Sequence, residues 1–429
     1  MSNANKAWEA IFAHLDIPGQ LDERGQASVT AQQIKDITSA EDGLGHQEPR
    51  IITKFDAREH RPAILRQHNC TILATSNGTY SVLRGDGYHD TEHIHETIDY
   101  NSEKLHNLET LPDICTSESQ VIDSTAASGL LSDFLEDNDL ALTIRGRLRS
   151  GEFDFQFDEH EVQVNGVQIE VDAGYEGKKI YLIEAKMGTK DNFIIRQLYY
   201  PYRMWNIRNT NKEIVPVFIS YSDKTFYIYQ YRFNEHTQYN SIELVKSGAY
   251  ILGEKAAKPE IQCHFSDNKY LLQYQPGNEN LEVPFPQADD LRKVIDSIFA
   301  VASGFSTTFE ISSHYEFDER QSYYYGNAAR YLGLLDLDHN EYALTDAGNR
   351  YINSSKEERK MIIINAMMDS PTINDLAKET IKNHTTPSYD RISNIIQYHR
   401  HDINHTTANR RAHTMAKWLE WLTYNFNNP

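Results

Sequence analysis

The chain has 429 residues, 39% hydrophobic and 24% charged, a globular balance with length for about three domains; it excludes a disordered or collagen-like chain. The formal charge of −20 argues against a protein that coats nucleic acid by bulk positive charge. No apolar run approaches the length of a membrane span.

In chain order, AWEAIFAHL (7–15) reads as a short helix and the stretch from Ser28 to Thr38 as another, with Ser or Thr as a cap. CTILATS and TYSVL flank Asn77-Gly78, a strong hairpin signal. Residues 86–112 are polar and His-rich and read as loop. Residues 118–138 carry Val121, Ile122, Ala126, Leu130, Leu131 and Phe134 at helical spacing. Strands are expected in LALTIRGRL, in EFDFQF, in the pair EVQV and VQIEVD around Asn165-Gly166, and in KKIYLIEAK. A helix is expected from Asp191, as N-cap, to Arg208, then strands EIVPVFISY and FYIYQYRF. Prolines between 253 and 289 mark a linker near 276–288. Beyond it the order is three helices, a small hairpin at 336–344 and a helix, the outline of a winged helix, followed by four more helices. Borders near 117 and 285 divide the chain into 1–117, an α+β domain; 118–285, the domain carrying the chemistry; and 286–429, mainly helical.

The charge is uneven. Residues 1–150 hold 13 basic and 24 acidic side chains, whereas 351–429 hold 10 and 8 and are net positive. Cys70, Cys115 and Cys263 have no disulfide or zinc spacing, and the N-terminus lacks the features of a signal peptide. A soluble protein in the reducing cytoplasm is expected.

The informative stretch is VQIEVDAGYEGKKIYLIEAKMGTKDNFIIRQLYYPYRMW, from Val167 to Trp205. In a strand side chains alternate faces, so Glu184 and Lys186 stand together at the end of an apolar strand. Gln168, Glu170 and Asp172 share a face of the preceding strand. If the two strands are neighbours, Asp172 and Glu184 converge. Two close carboxylates repel unless a cation lies between them, and hard oxygen ligands suit magnesium, which keeps waters and binds phosphate oxygens. A lysine beside them can position or help deprotonate a water. Phosphodiester hydrolysis fits this set of groups.

Asp172, then Glu184-Ala185-Lys186 on a hydrophobic strand, resembles the PD-(D/E)xK nuclease superfamily, and the arrangement with its flanking domains resembles type II restriction endonucleases, chiefly over residues 120–235, less over 290–429 and least over 1–117. The resemblance implies an α/β (α+β) fold, with a mixed restriction-endonuclease-like sheet in the order helix, three strands, helix, strand. It implies that Asp172 and Glu184 bind Mg2+, with the main-chain carbonyl of Ala185 as an extra ligand, and that Lys186 activates water. It implies a supporting role for Gln197 on the following helix, and for an acidic residue on the helix before the strands, either Asp133 or Glu136. Val171 stands where the family name has proline.

Arg145, Arg147 and Arg149 alternate along one strand and could track phosphates, or pair with nearby acids. Arg410, Arg411 and Lys417 supply a basic face on the helix 406–424 for DNA contact. The winged-helix candidate could read DNA through 319–332 or serve as a spacer. The tyrosine runs at 199–202 and 323–325 could stack on bases, although such aromatics more often build cores. His401 and His405 lack the Glu of a zinc-protease helix. No P-loop is present, so no NTP is expected. The expected function is Mg2+-dependent, sequence-specific cleavage of double-stranded DNA by a homodimer, with a cognate methyltransferase encoded nearby. The alternatives are a DNA-binding regulator with a non-cutting core, or a modification-dependent endonuclease whose residues 1–117 read a methylated base.

Overall fold

A computed structural model describes residues 3–208, 211–253 and 268–427. The chain forms two compact units: residues 1–186 with 190–252, and residues 187–189 with 253–429. Cys263 lies outside the described residues, while Cys70 and Cys115 are buried free thiols.

The first unit is mixed α/β. Its strands are β1 (Gln26–Thr30), β2 (Cys70–Ser76), β3 (Thr79–Arg84), β4 (Tyr88–Asp90), β5 (Ile98–Tyr100), β6 (Ala141–Arg149), β7 (Glu152–Phe157), β8 (His160–Asn165), β9 (Gln168–Glu176), β10 (Ile180–Met187), β11 (Asn192–Ile194), β12 (Ile214–Ser222), β13 (Thr225–Phe233) and β14 (Ile242–Leu252). Seven of them form one sheet in the order β5-β14-β13-β12-β10-β9-β6, and five form another in the order β1-β3-β2-β8-β7. Every residue of β10 and of β12 is buried, as central strands covered on both faces require.

Two strands cross from one sheet to the other. β6 and β9 pair antiparallel, with Arg149 opposite Gln168, and β7 and β8 continue the pairing, with Glu152 opposite Asn165. Gly151 and Gly166, at φ 74° and 67°, mark the passage, where only glycine turns without steric cost. Asn165-Gly166 is therefore a bend in a long ribbon. The expected pairing of 161–164 with 167–172 does not occur, because each partner lies on the opposite arm of that ribbon. The sheet holding β1, β2 and β3 also holds the β7–β8 hairpin, and so runs across the border expected near 117.

Other differences have local causes. Residues 28–30 are strand, paired with 79–81; the helix starts at Ala31, with Thr30 and Gln33 forming a capping box. The expected helix 118–138 is two helices, Glu118–Ala127 and Leu130–Leu135, separated at Gly129 (φ 89°). The helix expected from Asp191 begins at Arg196, because Asn192, Phe193 and Ile194 are buried as β11 and pair with β4. Residues 86–112 accordingly contain β4, β5 and a short helix (Glu103–His106). The tyrosines 199, 200 and 202 are buried and pack on Phe153, Phe155, Phe233 and Tyr239. They build core and are not a base-stacking surface.

The second unit has helices Leu291–Ala302, Thr308–Tyr315 and Glu319–Tyr331, then the hairpin strands β15 (Leu335–Asp338) and β16 (Glu341–Leu344), then the helix Asp346–Asn353. His339 and Asn340 both take positive φ, at 47° and 67°, as a two-residue hairpin turn demands. Helices Lys356–Asp369, Pro371–Asn383, Tyr389–His399 and His405–Asn427 follow. The stretch 276–288 is tied down rather than a loose linker. Arg400, 2% exposed, donates to the carbonyls of Asn280 and Val283, and the Trp418 indole donates to the carbonyl of Ala288. The Glu279 carboxylate accepts from the Tyr331 and Ser370 hydroxyls and from the backbone and hydroxyl of Thr372. No helix among the described residues is long and apolar enough to cross a membrane.

Glu279 thus meets four donors at the start of the helix Pro371–Asn383, where the dipole also favours an anion. Glu279→Ala should destabilise this unit by about 2–3 kcal/mol, read as a lower urea midpoint. An unchanged midpoint would show that the stretch is not anchored there.

Candidate functional site

Strands β9 and β10 are antiparallel neighbours, with Ile183 opposite Ala173. One step further along this register sets Glu184 beside Asp172. The Asp172 carboxylate accepts the Ala185 N–H through Oδ2 at 2.9 Å, so it is held by the backbone of the strand that carries Glu184. Lys186 follows two residues later on the same face. Its Nζ lies 3.1 Å from Glu184 Oε1, with both side chains almost wholly buried, at 8% and 10% exposure. The convergence expected of Asp172, Glu184 and Lys186 is therefore present.

A third carboxylate joins them. Glu118, in the first turn of the helix Glu118–Ala127, places Oε1 3.3 Å from Lys186 Nζ. Neither acid expected for the preceding helix does so: Asp133 accepts the Tyr100 hydroxyl, and Glu136 is exposed and pairs with Lys246. The sequence signal for Glu118 was its place just after the N-cap Ser117, at the head of the helix that precedes β6.

Gln197 lies in the first turn of the helix Arg196–Ile207 and donates to Asp56 Oδ1 at 3.2 Å, while its own Oε1 is buried without a hydrogen-bond partner. Asp56 also pairs with Lys54 at 3.1 Å. Both belong to the N-terminal segment, where no motif drew attention to them.

The electrostatics follow from burial. Loss of solvent pushes the Glu184 carboxyl up to about 8; Lys186 opposes the rise, and Asp172 and Glu118 add to it. Burial likewise raises Asp172, against the Ala185 N–H and Lys186. With Glu184 and Lys186 buried and Asp172 partly so, the carboxylates here cannot all hold their charges beside a single lysine. Among the described residues no group of three or more His, Cys, Asp or Glu is arranged to cage a metal ion. Magnesium, however, takes one or two carboxylates and keeps its waters. Asp172 and Glu184 supply such a pair, and their excess of negative charge is what a hard cation would offset.

Most of the basic residues named from sequence have partners within the fold. Arg145 reaches Asp123 at 2.9 Å and the carbonyl of Asp172 at 3.1 Å. Arg147 pairs with Glu170 at 2.6 Å, and Arg149 donates to the carbonyl of Gly166. Pairing of β6 with β9 shifts between Ile144 and Gly146, where Asp172 and Ala173 of β9 both stand against Arg145, and all three arginines are exposed along β6. On the helix His405–Asn427, Lys417 pairs with Glu420, Arg410 bonds Thr407, and the Arg411 Nε is buried without a hydrogen-bond partner.

Three domain models match the chain, each described as a domain of unknown function: DUF6996 over residues 5–82, DUF6997 over 83–251 and DUF7226 over 293–427. Asp172, Glu184, Lys186, Gln197 and Glu118 lie in the second, Lys54 and Asp56 in the first. No curated protein and no solved structure matches the chain.

Raising Glu184 from 4.5 to about 8 means that the folded state keeps a proton the unfolded chain has lost. The stability this contributes is complete below pH 4.5 and is lost as pH rises through about 8. Wild type should therefore lose stability relative to Glu184→Gln between pH 5 and 8, measured as urea midpoints across that range. A difference that stays flat with pH would mean Glu184 is not held protonated.

Proposed function

We propose that the protein is a Mg2+-dependent endonuclease that cuts double-stranded DNA at specific sequences, a type II restriction enzyme of the PD-(D/E)xK kind. The observation that carries this reading is the meeting of Asp172, Glu184 and Lys186 at the edge shared by two neighbouring strands. The order of elements supports it. The helix Glu118–Ala127 precedes β6, β9 and β10, the helix Arg196–Ile207 follows, and β12 then lies beside β10. On this reading the β7–β8 hairpin is an insertion, and Glu118 takes the part of the extra acid.

A magnesium ion held by Asp172 and Glu184, with the Ala185 carbonyl of the same strand as a further ligand, would supply Lewis acidity and a water of lowered pKa. The protein's own groups do the rest. The Ala185 N–H fixes one oxygen of Asp172 and so aims the other. Glu184 would hold the ion as a carboxylate, its charge then compensated by the cation and Lys186. Lys186 orients the water and offsets charge building on the phosphorus, and its ion pairs with Glu118 and Glu184 keep it in place. Arg147, Arg149, Arg410, Arg411 and Lys417 are the proposed contacts to the DNA backbone, with Arg145 at the rim of the site. Cutting both strands calls for two copies, hence a homodimer, and a cell carrying such an enzyme needs a cognate methyltransferase.

The purified protein should cut some phage or plasmid DNA in the presence of magnesium. Glu184→Ala, Glu184→Gln and Lys186→Ala should each lower the rate at least about 100-fold, measured by gel electrophoresis of the products. Undiminished cutting by these variants would remove the assignment of the site. Specific binding without cleavage, in magnesium or manganese and on any methylation state, would instead favour a regulator.

A further inference from the structure

Residues 54–59 lie between β1 and β2 of the N-terminal segment, and they are bonded to the chain that leads into the helix Arg196–Ile207. The Asp56 carbonyl accepts the Ile194 N–H at 3.1 Å. The Arg58 N–H donates to Asn192 Oδ1 at 2.7 Å, and Asn192 Nδ2 donates to Glu59 at 3.0 Å. The Tyr88 hydroxyl donates to the carbonyl of Phe55 at 2.8 Å. This backbone is therefore fixed at several successive residues, and Asp56 meets Gln197 by construction.

Asp56 is 11% exposed and has one oxygen on the Gln197 amide and the other 3.1 Å from Lys54. Lys54 is rooted at that carboxylate, but its side chain stays 52% exposed. Its charge acts on Asp172, favouring the ionised carboxylate. Lys186 differs: it is 8% exposed and pairs with Glu118 and Glu184. The site thus has an inner cation engaged by its own acids and an outer one within reach of solvent.

We infer that Lys54, presented by Asp56, grips the phosphodiester backbone of the substrate beside the bond to be cut. The inference rests on the nuclease reading and assigns part of that site to the N-terminal segment. A polyanion approaching Glu118, Asp172 and Glu184 is repelled. Lys186 cannot serve it without abandoning its carboxylates. An ammonium is a compact, hydrated point charge suited to a phosphate oxygen, and a half-exposed ion pair such as Lys54 with Asp56 is held weakly. Exchanging that carboxylate for a phosphate oxygen therefore costs little, and Asp56 keeps its bond to Gln197 meanwhile.

The test uses the full-length protein, a duplex oligonucleotide as probe, and calcium in place of magnesium to hold cleavage back. Binding is measured by fluorescence anisotropy at a series of salt concentrations. Lys54→Ala should lower the slope of log affinity against log salt by about 0.9, the loss of one phosphate contact, with the thermal midpoint unchanged. Lys54→Arg should restore the slope. In magnesium, Lys54→Ala should cut about 10-fold more slowly at low DNA concentration, the loss lying mainly in KM. A wild-type slope together with a wild-type kcat/KM in Lys54→Ala would overturn the inference and leave the nuclease reading standing. A wild-type protein that neither binds nor cuts DNA would overturn both.

Discussion

Setting the buried carboxyl of Glu184 beside the partly buried one of Asp172 is the constraint around which the first unit is arranged. Asp172 and Glu184 face each other because β9 and β10 are antiparallel in one register, and a slip of one residue would turn one of them to the other face. The apolar length of β10 fixes that register by burying every residue of the strand. The Ala185 N–H then locks Asp172, and Lys186 lies between Glu184 and Glu118. Such a site is costly to maintain as mere structure, and that cost is a reason for proposing a function there.

The rest of the unit serves this edge. The β6–β9 ribbon carries Asp172 at its middle and passes into the second sheet through Gly151 and Gly166. The N-terminal strands thereby share a sheet with the β7–β8 hairpin, and the 54–59 segment is bonded to the chain leading to Gln197. The first two matched domains, 5–82 and 83–251, are one compact unit in which each supplies side chains to the same neighbourhood. The net charge of −20 takes on a different meaning here, since several of the acids are the site itself and a bound cation would invert their sign.

Much of this was legible in the sequence where the signal is local. The apolar run of β10 ending in Glu184 and Lys186, the Asn77-Gly78 hairpin, and the helix–helix–helix–hairpin order after 290 all come from periodicity and turn residues. What stayed hidden depends on distant partners. Glu118 meets Lys186 across 68 positions, and Gln197 meets Asp56 across 141. The strand β11 exists because β4 pairs with it, so Asp191 read as a helix cap from its neighbours alone. The Asn165-Gly166 signal gave the bend correctly but not the partners, which the ribbon supplies from residues 141–157. The acid on the first helix was sought at Asp133 and Glu136, toward the far end of that stretch, whereas the end nearest Lys186 is its first turn.

The central claim is that the Asp172–Glu184 pair is built for a divalent cation. Titration calorimetry of the full-length protein with magnesium at pH 7, repeated in two buffers of different ionisation enthalpy, tests it without DNA and without turnover. With Glu184 raised to about 8, ion binding should release about one proton, and Glu184→Gln should abolish that release. Magnesium binding with no proton release, or no binding at all, would contradict the claim.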